Sequence, residues 1–141
     1  MKFAFVRAKN VGGALIRAYE GGQASHVGVV DGDHVIDATF AHGVARRPWA
    51  AFMHERELVG VTEVPLADEP AAMRFLYEQV GKRYDWTAIV GFLLWRDWSD
   101  GDRWYCSELA AQAMQVGGIA IADRGRRFGV RLLREVAFAR S

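Results

Sequence analysis

The chain has 141 residues, of which 51% are hydrophobic and 25% are charged, and its formal net charge is +1. This composition excludes a disordered chain and a membrane-embedded protein, and the length predicts a single domain spanning residues 1–141. The balanced charge and the lack of a nucleic-acid-binding motif disfavour nucleic acid as a partner. The single cysteine, Cys106, excludes an intramolecular disulfide bond.

No stretch of the chain has the apolar length of a signal peptide or of a bilayer span. The longest apolar run covers only residues 88–95. We therefore expect a cytoplasmic protein with no stable membrane insertion. A cell-wall substrate would then require delivery by a phage particle or by a secretion system.

The pattern of apolar residues predicts strands and helices in an α+β order. In chain order, the predicted elements are a strand at 2–6, a short helix at 13–20, a hairpin at 25–38, a loop-rich segment at about 40–56, a strand near 58–64, helices at about 69–80 and 85–96, a helix from Cys106 to Val116 and a strand or helix near 129–138. Asp68 is expected to cap the helix that Gly81 ends, and Gly117 with Gly118 is expected to end the helix of Cys106.

The hairpin brings a histidine and a carboxylate together. Two β-branched runs flank Asp31 and Gly32, and a two-residue turn at that pair places His26 directly opposite Asp37 on one face of the sheet. A turn at Gly32 and Asp33 instead makes the two side chains diagonal neighbours on the same face. Either register predicts a base beside a carboxylate that orients it.

Three other residues of the sequence bear on this pair. Gly28 shares the face of His26 and leaves space there, as a helix carrying Cys106 would need. His34 points to the opposite face and is interpreted as solvated or structural. His42 and His54 lie in irregular stretches and show no usable pattern.

Cys106 lies where an aromatic run turns into a helix, in Trp-Tyr-Cys-Ser-Glu-Leu. A lone cysteine is more often a small buried apolar residue than a nucleophile. The positive end of a helix, however, lowers a thiol pKa, and a histidine with its orienting carboxylate is already predicted. The three groups have the chemistry of a nucleophile, His26 as its base and Asp37 as the orienter of the base.

An oxyanion formed at this site needs hydrogen-bond donors. The backbone N–H of Cys106 is one candidate, and Tyr84, Tyr105 and Ser107 are candidates for substrate binding or for the second donor. One cysteine with scattered histidines does not form a zinc pattern, and no glycine-rich phosphate loop is present. No metal and no cofactor are therefore expected.

Four short motifs occur in order along the chain: Ser25-His26-Val27-Gly28-Val29-Val30, Val35-Ile36-Asp37-Ala38, Gly81-Lys82-Arg83-Tyr84-Asp85-Trp86 and Tyr105-Cys106-Ser107-Glu108-Leu109. With these motifs the chain resembles the permuted branch of the NlpC-type papain-like superfamily, and in particular its YiiX/YebB-like members, which are related to lecithin-retinol acyltransferase-like proteins. In this branch the histidine precedes the cysteine, and Asp37 stands where the family often has Glu or another polar residue.

The resemblance implies a permuted papain-like fold, in which an antiparallel sheet packs against the helix that carries the nucleophile. It implies hydrolysis of amide bonds through an acyl-enzyme, most commonly in peptidoglycan-type peptides, with a peptide or cell-wall fragment as partner. Thioesterase or acyltransferase chemistry on an acyl lipid is an alternative, and the tryptophans between Trp86 and Trp98 would then line the groove. A binding or assembly module without turnover is a second alternative, and it predicts a buried, unreactive Cys106.

Overall fold

A computed structural model describes residues 1–9, 23–54, 56–84, 103–104, 106–120 and 130–139, together with two helical positions, Ala14 and Ala18. Apart from these two positions, the helix predicted at 13–20 lies outside the described residues, and so does the helix predicted at 85–96.

The described residues form an α+β arrangement around a five-stranded antiparallel sheet, with strand order β4-β3-β2-β1-β5. Its strands are β1 (Lys2–Ala8), β2 (His26–Asp31), β3 (His34–Thr39), β4 (Gly43–Pro48) and β5 (Arg56–Glu63). Two short strands, β6 (Arg83–Tyr84) and β7 (Arg103–Trp104), pair in parallel. The helices are α1 (Trp49–Met53), α2 (Glu69–Gln79), α3 (Cys106–Val116) and α4 (Val130–Ala139).

Both faces of the sheet are covered. The main core lies on one face, where apolar side chains of the strands pack with those of α2, α3 and α4; it includes Phe3, Phe5, Val27, Val29, Ile36, Leu76, Leu109 and Leu133. On the other face, α1 covers a smaller cluster formed by Ala4, Val6, Val35 and Phe52. Because side chains alternate along a strand, His26 and Asp37 belong to this second face.

The register of the β2–β3 hairpin corrects the first of the two predicted turns. Val30 pairs with Val35 and Asp31 pairs with His34, so the turn residues are Gly32 and Asp33. The direct pairing of His26 with Asp37 is therefore wrong, and the diagonal arrangement is the one found. Gly32 has φ +62°, a conformation that glycine adopts readily at a tight turn.

The loop-rich segment predicted at 40–56 is also wrong, because it contains β4 and α1. Among the described strands, β4 lies at the edge of the sheet and pairs with β3 alone, which allows it to end in Pro48. The outer edge of β4 forms backbone hydrogen bonds with the segment that follows α2. Val44 N–H donates to the Lys82 carbonyl at 2.8 Å, and Gly81 N–H donates to the Val44 carbonyl at 2.8 Å.

The other described elements follow the sequence-based expectations. Strands β1 and β5 contain most of the predicted segments 2–6 and 58–64. The Asp68 side chain accepts a hydrogen bond from Ala71 N–H at 2.9 Å and caps α2, while α3 ends before Gly117 and Gly118 as predicted. The segment near 129–138, predicted as a strand or a helix, is the helix α4.

None of the helices in the described parts of the chain is both long enough and apolar enough to span a bilayer.

Candidate active site

His26 and Asp37 form a hydrogen bond across the β2–β3 hairpin. The distance from His26 Nε2 to Asp37 Oδ2 is 2.7 Å, and the Asp37 side chain is completely buried. A carboxylate accepts the proton of this bond, so in the neutral ring Nε2 carries hydrogen and Nδ1 keeps a lone pair. The diagonal arrangement therefore leaves His26 with one ring nitrogen oriented by Asp37 and the other able to accept a proton.

Two arginines also contact the Asp37 carboxylate. Arg47 of β4 donates to Asp37 Oδ1 from Nε at 2.9 Å, and its Nη2 lies 2.8 Å from the same oxygen. Arg56, the first residue of β5, donates to Asp37 Oδ2 from Nη1 at 3.4 Å. Burial of a carboxylate is unfavourable unless it is paired, and here two guanidinium charges and a hydrogen bond from the imidazole stabilise the single negative charge.

The electrostatic balance sets the protonation states of this pair. Burial favours the neutral acid of Asp37, but the hydrogen bond and charge of His26 and the charges of both arginines outweigh burial and lower the Asp37 pKa. Burial lowers the pKa of His26 below its ordinary 6.5; Asp37 opposes this effect, and Arg56 and Arg47 add to it. At neutral pH the pair is therefore an ionised carboxylate and a neutral imidazole, which is the form of a general base.

Phe52 of α1 packs against the same group of residues. Its ring centroid lies 6.0 Å from that of His26, and the guanidinium carbon of Arg56 lies 4.9 Å from it. Arg56 Nη1 also donates to the Phe52 carbonyl oxygen at 2.8 Å, which fixes the arginine to the helix. A Cβ atom added to Gly28 would collide with Val35 Cγ1 and lie 2.9 Å from Phe52 Cε2, so the space predicted beside His26 is filled by these two side chains.

Cys106 is the first residue of α3 and is only 3% exposed. It belongs to the main core, together with Val27 and Val29. The space beside Gly28, which a helix carrying Cys106 would need, is occupied by Val35 and by Phe52 of α1, so the expectation that this helix lies across the Gly28 face is wrong.

Arg56 connects Cys106 electrostatically to the histidine–aspartate pair. Burial lowers the pKa of Arg56, Asp37 opposes that change, and the negative charge of Cys106 also opposes it. Such an interaction is mutual, so the charge of Arg56 favours the thiolate form of Cys106, whereas burial of the sulfur favours the neutral thiol. The same guanidinium thus acts on the predicted nucleophile and on the carboxylate that orients the predicted base.

The structure describes only some of the residues predicted to stabilise the oxyanion or to bind substrate. Ser107 lies in the first turn of α3 with no exposed surface. The backbone of Tyr84 belongs to β6, but its side chain, like all of Tyr105, lies outside the described residues. His34, predicted to be solvated or structural, contacts the exposed Asp33, with 2.5 Å between Nδ1 and Oδ1.

Three residues of the site were not predicted from the sequence, namely Arg47, Arg56 and Phe52. All three fall in or beside the segment interpreted as loop-rich. The missed signal is the alternation of β4: Arg47 pairs with Val35, two residues from Asp37, so it shares the face of that carboxylate. A strand assignment at 43–48 would have predicted an arginine next to Asp37.

Within the described residues, no group of three His, Cys, Asp or Glu side chains is arranged to hold a metal ion. The chain matches no model of a known protein family, and no curated protein has a significantly similar sequence.

Proposed function

We propose that the protein is a cysteine hydrolase with a permuted papain-like fold of the NlpC type, in which Cys106 is the nucleophile, His26 the general base and Asp37 the orienter. The observation that carries the proposal is the partly buried 2.7 Å hydrogen bond between His26 Nε2 and Asp37 Oδ2. An imidazole that keeps a free lone pair and a fixed tautomer is the central requirement of this chemistry.

The reaction proceeds in two stages. In the first, His26 Nδ1 takes the thiol proton as the sulfur of Cys106 attacks the carbonyl carbon, and the backbone N–H of Cys106 stabilises the resulting oxyanion. The imidazolium then donates its proton to the amine, the C–N bond breaks, and a thioester remains. In the second, His26 accepts a proton from water, the hydroxide attacks the thioester, and the thiolate leaves and is reprotonated.

The charges around the site fit a base that is neutral before the reaction. The lowered pKa of His26 keeps the imidazole unprotonated at neutral pH, so it can accept the thiol proton. Asp37 remains ionised, so it stabilises the imidazolium that forms in the first stage. Arg56 favours the thiolate and thereby lowers the free energy of the attacking form.

The family resemblance supports amide bonds in peptidoglycan-type peptides as the substrate. Such a substrate lies outside the cytoplasm, the compartment predicted from the sequence, and delivery by a phage particle or a secretion system would reconcile the two. A binding module with the same fold has one observation in its favour, the burial of Cys106. The reactivity of the thiol separates this alternative from the hydrolase.

The experiment measures the rate of Cys106 alkylation by iodoacetamide as a function of pH. The wild-type protein should react rapidly at pH values well below the free-thiol pKa of about 8.5, and His26→Ala should lose this reactivity. His34→Ala is the matched control, because His34 lies in the same hairpin and contacts Asp33 instead of Asp37. An ordinary thiol profile shared by all three proteins would contradict the hydrolase and favour the binding module.

An active thiol justifies a comparison of substrates. Cell-wall peptides and acyl-lipid esters or thioesters are incubated with the wild-type protein and with Cys106→Ala, and the products are identified by mass spectrometry. Amide cleavage that needs Cys106 supports the proposal, whereas cleavage or transfer confined to acyl lipids would favour the alternative acyltransferase or thioesterase.

A further inference from the structure

An open cavity of about 380 Å³ lies beside the histidine–aspartate pair. Two of the residues that line it, Arg47 and Arg56, are the arginines that contact Asp37. The other described lining residues are Thr39, Ala41, His42, Ala51 and His54. The cavity and the candidate active site therefore share both guanidinium groups.

The charge at this wall of the cavity is not fully compensated. One carboxylate, Asp37, faces two guanidinium groups, whose side chains are only 16% and 15% exposed. None of the lining residues that the structure describes is acidic. A partly buried excess of one positive charge attracts an anion more strongly than an exposed arginine does, because water screens it less.

Both arginines also have N–H groups that none of the described hydrogen bonds uses. In the described part of the chain, the hydrogen bonds of Arg47 use Nε and Nη2, and those of Arg56 use Nη1 alone. Each guanidinium keeps further N–H groups in a planar arrangement that matches the two oxygens of a carboxylate. The bonds to Asp37 and to Phe52 hold both side chains in place before any ligand arrives, which reduces the entropy lost on binding.

We infer that this cavity is a subsite for a carboxylate of the substrate, bound by Arg47 and Arg56. The inference rests on the proposed function for its link to catalysis: both arginines contact Asp37, the carboxylate that orients the general base His26. A carboxylate held in the cavity therefore lies beside the histidine–aspartate pair. The preferred substrates are therefore peptides with an acidic group next to the cleaved amide.

Binding is measured in Cys106→Ala, which removes turnover from the experiment. The probes are the blocked dipeptides acetyl-Ala-Glu-amide and acetyl-Ala-Gln-amide, which differ by one carboxylate. Chemical-shift titration should give an affinity for the glutamate probe about tenfold higher, the size expected of one charge-assisted hydrogen bond. Equal affinities would overturn the inference.

Two further variants locate the preference in the cavity. Arg47→Gln should abolish the glutamate preference, whereas Arg46→Gln should retain it, because Arg46 is the neighbouring arginine of β4 and bonds to Asp31 at 2.6 Å. Ala51→Glu adds a negative charge to the cavity wall without touching the Asp37 contacts, and it should also abolish the preference. A preference that survives both Arg47→Gln and Ala51→Glu would overturn the inference.

The inference and the proposed function fail in distinguishable ways. An unreactive Cys106 together with a glutamate preference that depends on Arg47 would refute the hydrolase and retain a carboxylate site. A reactive Cys106 with no preference between the two probes would retain the hydrolase and refute the subsite.

Discussion

Replacement of Asp37 by asparagine tests the charge balance on which the candidate site depends. The amide has one acceptor oxygen instead of two, so at least one of the donors that now reach the carboxylate would face an N–H group. Breaking a buried ion pair costs about 3–5 kcal/mol, and the lower value applies because Arg47 and Arg56 keep some contact with water. We expect Asp37→Asn to lower the free energy of unfolding by about 3 kcal/mol.

Urea denaturation of four proteins measures this loss of stability and tests whether it comes from the interaction of Asp37 with Arg47. They are the wild type, Asp37→Asn, Arg47→Gln and the double variant. Because the two side chains share a bond, the double variant should be more stable than the sum of the single losses predicts, by about 1–2 kcal/mol. Losses that add to within about 0.5 kcal/mol would refute the reasoning, since additivity means that the two residues do not interact.

The difference in stability between the wild type and Asp37→Asn is expected to depend on pH. The Asp37 pKa is lower in the folded protein than its ordinary 3.8, so this group adds stability above that pH, and the stability is lost as the pH falls through the folded-state value. The stability difference between wild type and Asp37→Asn should therefore shrink below about pH 4. His26, whose pKa is lowered from 6.5, adds stability above that pH that is lost as the pH falls. A difference that stays constant down to pH 2 would contradict the assigned ionisation of Asp37.

Two glycine substitutions test the packing that positions the site. Gly28→Ala places a methyl group in collision with Val35 Cγ1 and 2.9 Å from Phe52 Cε2, so it should destabilise the protein by about 1–3 kcal/mol in urea denaturation and reduce Cys106 alkylation at low pH. Gly43→Ala combines a positive φ of +64° with a collision between the new methyl group and the Lys82 carbonyl oxygen, and it should cost about 3 kcal/mol or more. Gly32→Ala has a similar φ, but none of the residues that the structure describes lies within 4 Å of the methyl group, and it should cost only about 1–2 kcal/mol.

The controls separate local packing from a general effect of alanine. Gly60 also lies in a strand, and Phe138, at 3.3 Å, is the one described residue that a methyl group there would meet, so Gly60→Ala should leave the alkylation profile unchanged. Equal losses of stability for Gly43→Ala and Gly32→Ala would show that the contact with Lys82 contributes nothing beyond the strain in φ.

The alternation of apolar residues was enough to predict that His26 and Asp37 share a face, but it did not decide the register. The two candidate turns differ by a shift of two residues in the pairing, and such a shift leaves every side chain on the same face. The same residues are buried in both registers, so the hydrophobic pattern does not distinguish between them. In the structure, the pairing of Val29, Val30 and Asp31 with β3 defines the register.

The segment at 40–56 was misinterpreted for a different reason. Strand β4 reads Gly-Val-Ala-Arg-Arg-Pro, and two consecutive arginines before a proline are typical of an exposed loop. Arg47 is largely removed from solvent where it pairs with Asp37, and that carboxylate belongs to β3, a different strand. Helix α1 has five residues and no side-chain hydrogen bond at its N-cap. Its position depends on Phe52, which fills the smaller core. A helix of little more than one turn is too short to produce a detectable apolar periodicity in the sequence.

The diagonal register of the hairpin and the two unpredicted arginines are physically connected. A diagonal partner lies further away than a direct one, so Asp37 must extend along the sheet to reach His26, past the backbone of Gly28, where an added Cβ would lie 3.3 Å from Asp37 Cβ. A carboxylate buried in this position is stable only if cations surround it, and the chain supplies two. Their combined charge exceeds that of Asp37, and this excess contributes to the lowered pKa of His26 and gives the adjacent cavity its positive wall. The protonation state of the base and the charge of the cavity are therefore coupled, and substitution of either arginine should change both.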